Sequence, residues 1–289
     1  VISAKMPYAQ LTNAYTECSF AIQEKQLGTA DAVKAAMPNL SSSDLVAILY
    51  GDTPLVEQTT ITRAAEALMQ NSNAALCLIS FHETFPNQYA RIVAEGNVVL
   101  SLAEYKDATD EQRSITLCNS GIIIAKRSFL EEALPKIDNL NAAREYYLTD
   151  LVKLAHTQGS KVVHIVADKH EMMGVNSKAE LAKAESLFQE RAAAYWLEQG
   201  VTLTNPSSVT FAADLKIGYE VTIGPYVVFG EGVSIKNNVT IKSFVHLEGC
   251  NIGEGTVIGP YARIRPGSVV GEYCRIGNFV EIKNTKLGP

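Results

Sequence analysis

Asp52 is the side chain best placed to do chemistry. It follows an apolar run, Leu45 to Tyr50, directly behind Gly51 and ahead of Thr53-Pro54-Leu55. A carboxylate at the exit of a buried strand, beside a glycine that lets a ligand approach the backbone, is suited to holding a divalent cation against a polyphosphate. An Asp there also caps the next turn, and this stretch by itself leaves both readings open. Upstream, Gln23-Glu24-Lys25-Gln26-Leu27-Gly28-Thr29 leads into a short helix. The amides near Gly28 and Thr29 then point outward at a helix N-terminus, where an anion or a base edge fits. Far downstream, Arg265 and Lys283 each follow an inward aliphatic and lie one coil apart in the repeat described next. The two cations therefore stack on one face, a cradle for a phosphate, although a pair of solvated surface charges has the same spacing.

The elements that position these residues fall into two patterns. From Ile217 onward the chain repeats in sixes, with Ile217, Ile223, Phe229, Ile235, Ile241 and Leu247 in one frame, then Ile252, Ile258, Ile264, Val270, Ile276 and Ile282 in a second. A second apolar or small residue recurs four positions later in most units. No helix has that period. Six residues with two inward positions make one side of a triangular β-helix of about four coils. Before the repeat, strand and helix signals alternate. The spacing predicts strands over 19–23, 45–50, 74–81, 98–102, 122–125 and 161–166, and helices over 30–37, 59–70, 145–156 and 178–199. That is an α/β pattern, and short continuous apolar strands such as Leu45-Val46-Ala47-Ile48-Leu49 are those of a mostly parallel sheet with ligands at its carboxyl edge. Ser177 with Glu180 forms a capping box, and Gly200 stands at the helix end, so the last helix reads as a stiff spacer.

Composition narrows the class. The chain has 289 residues, 47% hydrophobic and 19% charged, enough for two domains with real cores. No run approaches the roughly 18 apolar residues of a membrane span, and no basic segment leads into an apolar one at the start. A net charge of −6 argues against a nucleic-acid surface. The five cysteines are isolated and odd in number, which suggests neither a disulfide framework nor a zinc site and fits a reducing cytoplasm. The chain begins at Val1 and stops one turn into a repeat at Leu287-Gly288-Pro289, so it reads as cut at both ends.

Several stretches converge on one family. Leu27-Gly28-Thr29, Tyr50-Gly51-Asp52-Thr53-Pro54-Leu55, Glu104 to Arg113, Asn119-Ser120-Gly121, Glu145 to Asp150 and Gly174-Val175-Asn176, in that order and followed by hexads, closely resemble the bacterial bifunctional N-acetylglucosamine-1-phosphate uridylyltransferase / glucosamine-1-phosphate N-acetyltransferase. The resemblance spans nearly the whole chain. It implies a Rossmann-like nucleotidyltransferase domain over 1–177, a connecting helix over 178–200 and a left-handed parallel β-helix over 201–289. It also implies substrates: UTP and N-acetylglucosamine 1-phosphate for the first domain, glucosamine 1-phosphate and acetyl-CoA for the second.

Residue by residue, Gln23, Gly28 and Thr29 match uridine-binding positions, and Tyr50 and Gly51 lie beside the nucleotide. Asp52 and Asn176 match the pair that holds Mg²⁺, while Glu104 and Asn119 match sugar contacts. Ala90 stands where the family usually has glycine, so a close contact there must accommodate a methyl group, which is tolerable unless φ is positive. In the repeat, the segments around Arg265 and Lys283 match acetyltransferase substrate motifs. The resemblance further implies a cytoplasmic homotrimer with no nucleic-acid or membrane partner. It places the first strand with its Gly-rich loop before Val1, and the acetyltransferase base and coenzyme residues beyond Pro289. None of the five histidines matches the base, and His164, alternating within a strand, reads as a packed structural residue. The segment alone is thus expected to be inactive. Two alternatives stay open: a non-catalytic trimerisation or binding segment, and a nucleotidyltransferase for another hexose 1-phosphate.

Overall fold

In the first half of the chain the strands are β1 (Ile2–Ser3), β2 (Ile22–Gln23), β3 (Leu45–Ile48), β4 (Ala74–His82), β5 (Arg91–Glu95), β6 (Val98–Ala103), β7 (Leu117–Lys126) and β8 (Lys161–Val166). The helices are α1 (Tyr8–Ala14), α2 (Thr29–Ala36), α3 (Gln58–Gln70), α4 (Asp110–Ser114), α5 (Arg127–Ala133) and α6 (Asp150–Thr157), with α7 (Lys178–Glu198) after them. The structure is a computed structural model and describes residues 1–3, 8–40, 43–106, 108–141 and 144–288. Asp107, inside one of the matched stretches, and Pro289 lie outside them. The chain divides into two units, Val1–Asn176 and Ser177–Pro289.

β3 to β8 form one sheet in the order β3-β7-β4-β8-β6-β5. β4 has eight consecutive buried residues, as a strand covered on both faces must. The expected mostly parallel sheet is not what forms: β4 and β8 run parallel, whereas β3–β7, β4–β7, β5–β6 and β6–β8 are antiparallel. Continuous apolarity reports burial on both faces and says nothing of direction. The signal for reversal was Gly96-Asn97, a two-residue turn joining β5 to β6. α3 packs Thr60, Ala64 and Leu68 inward, one residue per turn along a single stripe. α6 starts five residues later than the spacing predicts. Residues 145–149 instead pair with the Gly28 loop: Tyr146 donates its N–H to Leu27 O at 2.8 Å, and Leu148 donates to Thr29 Oγ1 at 3.0 Å.

The second unit is a three-sided solenoid. Its two-residue strands stack in parallel on three sheets, with coils of 17 or 18 residues; Thr222 pairs Thr240, Thr240 pairs Val257, and Val257 pairs Arg275. Two residues per hexad point inward, so Val221, Ile223, Val227, Phe229, Val239, Ile241, Val245 and Leu247 are all buried. Burying each is worth about 1.5–3 kcal/mol, the driving force for a structure with so few residues per strand. The stack begins before the hexads do: Thr202–Leu203 already pairs with Thr222–Ile223, and Phe211 lies inside against Phe229, ring centroids 6.0 Å apart. α7 is more than a spacer. Ser177 Oγ accepts the Glu180 N–H at 3.2 Å as its cap, and the far end of the helix packs Ala193 into the solenoid core. Gln189 clasps the Phe211 backbone from both sides, accepting its N–H at 2.7 Å and donating to its carbonyl at 2.9 Å.

Each corner of the solenoid requires a left-handed residue. One corner is a column of Tyr226, Phe244, Tyr261 and Phe279, with φ between 57° and 61°. Their rings stack face to face at 4.9 to 5.0 Å. Bulky residues rarely adopt this backbone, at a cost of about 1–2 kcal/mol each. Stacking offsets part of that, about 0.5–1.5 kcal/mol per pair.

Candidate functional site

Gln23, Gly28, Thr29, Tyr50 and Gly51 come together, with Leu148, around one cleft of about 400 Å³ in the first unit. The sequence folds this way because glycine is required at position 28. Its φ is 121°, and a Cβ there would lie 2.6 Å from the Tyr146 carbonyl oxygen. Gln23 braces the same loop, donating from Nε2 to Gly28 O at 3.1 Å and to Asp31 Oδ2 at 2.8 Å. Burial pushes the Tyr50 phenol above its ordinary range, the Thr29 side chain opposes this, and Asp52 and Glu104 push it further up. Tyr50 therefore stays protonated and remains a hydrogen-bond donor at neutral pH.

The segments carrying Asp52 and Asn176 meet from opposite ends of the unit. Val175 donates its N–H to the Asp52 carbonyl at 2.7 Å, which fixes the 174–176 loop against the Gly51-Asp52 turn, and both side chains are exposed. Among the described residues no group of three or more His, Cys, Asp or Glu is arranged to hold a metal. One carboxylate and one amide oxygen are nonetheless hard donors of the kind Mg²⁺ takes, because that ion keeps waters and substrate phosphates for its other positions. The pair fits the ion.

Glu104 lies against the 145–149 segment. Glu104 lines a cleft of about 770 Å³ with Tyr147, Thr149 and Asp150. Its Oε1 accepts from Thr149 Oγ1 at 3.2 Å. Burial, with Asp138 nearby, holds the Asp150 carboxyl above its ordinary range, and Lys153 opposes this. Asn119 is buried on β7, and its Oδ1 has no hydrogen-bond partner. A buried acceptor left open costs about 1–3 kcal/mol, which a ligand N–H or O–H donor would offset. The Asn119 N–H donates to Ala90 O at 2.9 Å. Ala90 is absent from the positive-φ positions, so its methyl group is accommodated without backbone strain.

The spacing left two features unread. Thr149 and Tyr147 reach the Glu104 cleft, and their only signal was membership of a matched stretch. Arg91 is fully buried and braces the loop before it, donating to Asn87 Oδ1 at 2.8 Å and to the Tyr89 carbonyl, with its guanidinium over the Tyr105 ring. Burial pushes the Cys77 thiol of this unit up to about 12, and the Cys250 thiol of the solenoid likewise. His164 is a packed structural residue, held between Ser80 Oγ at 2.8 Å and Gly96 O at 3.1 Å.

In the solenoid the register Ile264↔Ile282 sets Arg265 and Lys283 side by side on adjacent coils. Arg265 Nη1 also meets Glu281 Oε1 at 3.2 Å, an exposed pair worth little by itself.

Comparison with known proteins follows these two patterns. Residues 249–284 match the family described as bacterial transferase hexapeptide, six repeats. The chain is 44% identical over 267 residues to the bifunctional protein GlmU of Roseobacter denitrificans, covering 92% of this chain and 59% of that protein. The chain is a relative of the GlmU proteins. GlmU of Paracoccus denitrificans is 44% identical over 94% of this chain and 60% of its own length. For GlmU of Zymomonas mobilis the figures are 44%, 92% and 59%. The chain thus spans about three fifths of these GlmU relatives. A solved CMP:2-keto-3-deoxy-manno-octonic acid synthetase complexed with CTP aligns with 65% of this chain and 80% of its own, at 13% identity and a TM-score of 0.47, too loose a likeness to carry an argument. The resemblance read from the motifs is borne out by the GlmU matches across nine tenths of the sequence.

Proposed function

We propose that this chain is part of a bifunctional enzyme of UDP-N-acetylglucosamine formation. In this reading the α/β unit transfers uridylyl from UTP to N-acetylglucosamine 1-phosphate, and the solenoid contributes to acetyl transfer from acetyl-CoA to glucosamine 1-phosphate. The observation that carries it is the meeting of Asp52 with the 174–176 loop directly after Tyr50 and Gly51, which line a nucleotide-sized cleft. The amides at Gly28 and Thr29 and the Tyr50 hydroxyl would bind and orient the nucleotide. Asn119 Oδ1 and Glu104 would accept hydrogen bonds from the sugar. A phosphate oxygen of the sugar phosphate then attacks the α-phosphorus of UTP in line, forming one P–O bond as the bond to pyrophosphate breaks. Asp52 and Asn176 would hold Mg²⁺, which when bound neutralises charge developing on the phosphates. The protein's own share is positioning, since phosphoryl transfer needs little covalent help.

Arg265 and Lys283 would take the phosphate of glucosamine 1-phosphate. We place the enzyme in the cytoplasm as a homotrimer; its unpaired cysteines fit a reducing compartment, and among the described residues no helix is long and apolar enough to cross a membrane. Calorimetric binding of UTP with Mg²⁺ and of N-acetylglucosamine 1-phosphate, glucose 1-phosphate or mannose 1-phosphate tests the uridylyl reading, with pyrophosphate release followed alongside to test the expected inactivity of the segment alone. Binding and preference for the N-acetylated sugar support it. Equal use of the other hexose phosphates would replace it with a transferase of different specificity.

A further inference from the structure

The Asn119-Ser120-Gly121 segment interrupts the pairing of β4 with β7. Leu78 faces Ile123 and Ser80 faces Asn119, so Ile79 alone stands opposite residues 120–122. A bulge of this kind re-aims side chains, and Ser120 closes it. Its Oγ donates to Ile79 O at 2.6 Å and accepts the Ile122 N–H at 3.1 Å. At the crest, Gly121 has φ of 87°, and a Cβ there would stand 2.6 Å from Tyr50 Cε2 and 3.2 Å from Cζ. The Tyr50 ring therefore occupies the space that any side chain at 121 would take. At the foot of the same bulge, Asn119 turns its unpartnered Oδ1 inward.

We infer that Gly121 is a positioning residue for the nucleotide cleft, acting through Tyr50. The bulge withholds a side chain so that the Tyr50 ring can lie where it lines the nucleotide cleft, and Ser120 holds that bulge in the register that also aims Asn119. One backbone irregularity thereby sets a wall of the nucleotide cleft and the aim of Asn119, the proposed sugar acceptor. The ligand identities rest on the proposed function, while the seat itself rests on the geometry of Gly121 and Tyr50.

Two experiments on the full chain separate these. Urea midpoints are compared for Gly121→Ala and Tyr50→Ala, singly and together. The loss caused by Gly121→Ala is expected to be smaller in the Tyr50→Ala background, because the clash is then gone; an equal loss in both backgrounds overturns the seat. Calorimetric titrations with UTP plus Mg²⁺ and with N-acetylglucosamine 1-phosphate follow. Gly121→Ala is expected to weaken UTP by roughly tenfold or more and the sugar phosphate by under about threefold. An unchanged UTP affinity, or equal losses for both ligands, overturns the positioning role. Ser120→Ala, a milder change that keeps the fold, is expected to weaken both ligands; no effect on either also counts against it. Should the wild-type chain bind neither ligand, the proposed function and the positioning role fall together, and the urea comparison still decides whether Gly121 seats Tyr50.

Discussion

Left-handed backbone occurs in both units and means something different in each. In the solenoid it recurs at every corner, on Tyr226, Phe244, Tyr261 and Phe279 in one column and on Glu220, Asn238 and Tyr273 in another. The turn repeats, so the strain repeats, and side chains stacked from coil to coil offset it. In the α/β unit the positive-φ glycines that touch other chain segments, Gly28 and Gly121, both sit at the proposed nucleotide cleft, one against the Tyr146 backbone and one against the Tyr50 ring. Strain shared along a repeat is architecture. Glycines whose missing side chain lets two segments press together mark where a site is built.

The largest test of that contrast is in the solenoid core. Ile241 is buried in register between Ile223 and Ile258, and Ile241→Ala is expected to cost about 2–5 kcal/mol by urea or calorimetry. A loss under about 1 kcal/mol would mean that the coils do not depend on their inward column. In the α/β unit the telling change is one that stability ignores. Asn119→Ala removes an acceptor the fold leaves unsatisfied, so its effect on the urea midpoint should be within about 1 kcal/mol, while affinity for N-acetylglucosamine 1-phosphate falls roughly tenfold. A large stability loss with unchanged affinity would make Asn119 structural and erase the contrast.

What the sequence disclosed divides along the same line. The solenoid's period is its structure, because each hexad buries its own two residues, so Ile217 to Ile282 announced the coils directly. The coil holding Phe211 went unread although it keeps the sixes, Phe211 standing six before Ile217 and Val209 six before Leu215, because Asn205 breaks the Phe211 frame one unit earlier. In the α/β unit the candidate residues were legible and the topology was not. Asp52, Glu104 and Asn119 stand in local motifs, whereas strand direction depends on partners far along the chain. The non-helical 145–149 segment escaped for the same reason: its amides pair with Leu27 and Thr29, more than a hundred residues away. The bulge at Ser120 and Gly121 is likewise visible only when β4 is laid beside β7.

Smaller effects sharpen the comparison. At Tyr261, with φ of 59°, Tyr261→Gly relieves backbone strain that Tyr261→Ala retains, and both lose the stack. The Gly variant is expected to be the more stable of the two by about 1 kcal/mol in urea, the reverse of the order in a helix. If Ala proves better, the corner does not enforce its left-handed turn. The smallest effect belongs to Asp150. Its carboxyl is raised in the folded state, so the native chain holds its proton more tightly than the unfolded one, and stability falls as pH rises from the ordinary carboxylate range through the folded value. Asp150→Asn should flatten that part of the stability–pH curve; an unaltered slope would show that Asp150 titrates normally.

The central claim is that Asp52 and Asn176 together make a Mg²⁺-dependent nucleotide-sugar site. Titration calorimetry of UDP-N-acetylglucosamine into the full chain, with and without Mg²⁺ and repeated on Asp52→Ala, tests it most directly. Binding that tightens with Mg²⁺ in the wild type and loses that dependence in Asp52→Ala is the predicted result. Binding equally tight in both proteins, or indifferent to Mg²⁺, would contradict it.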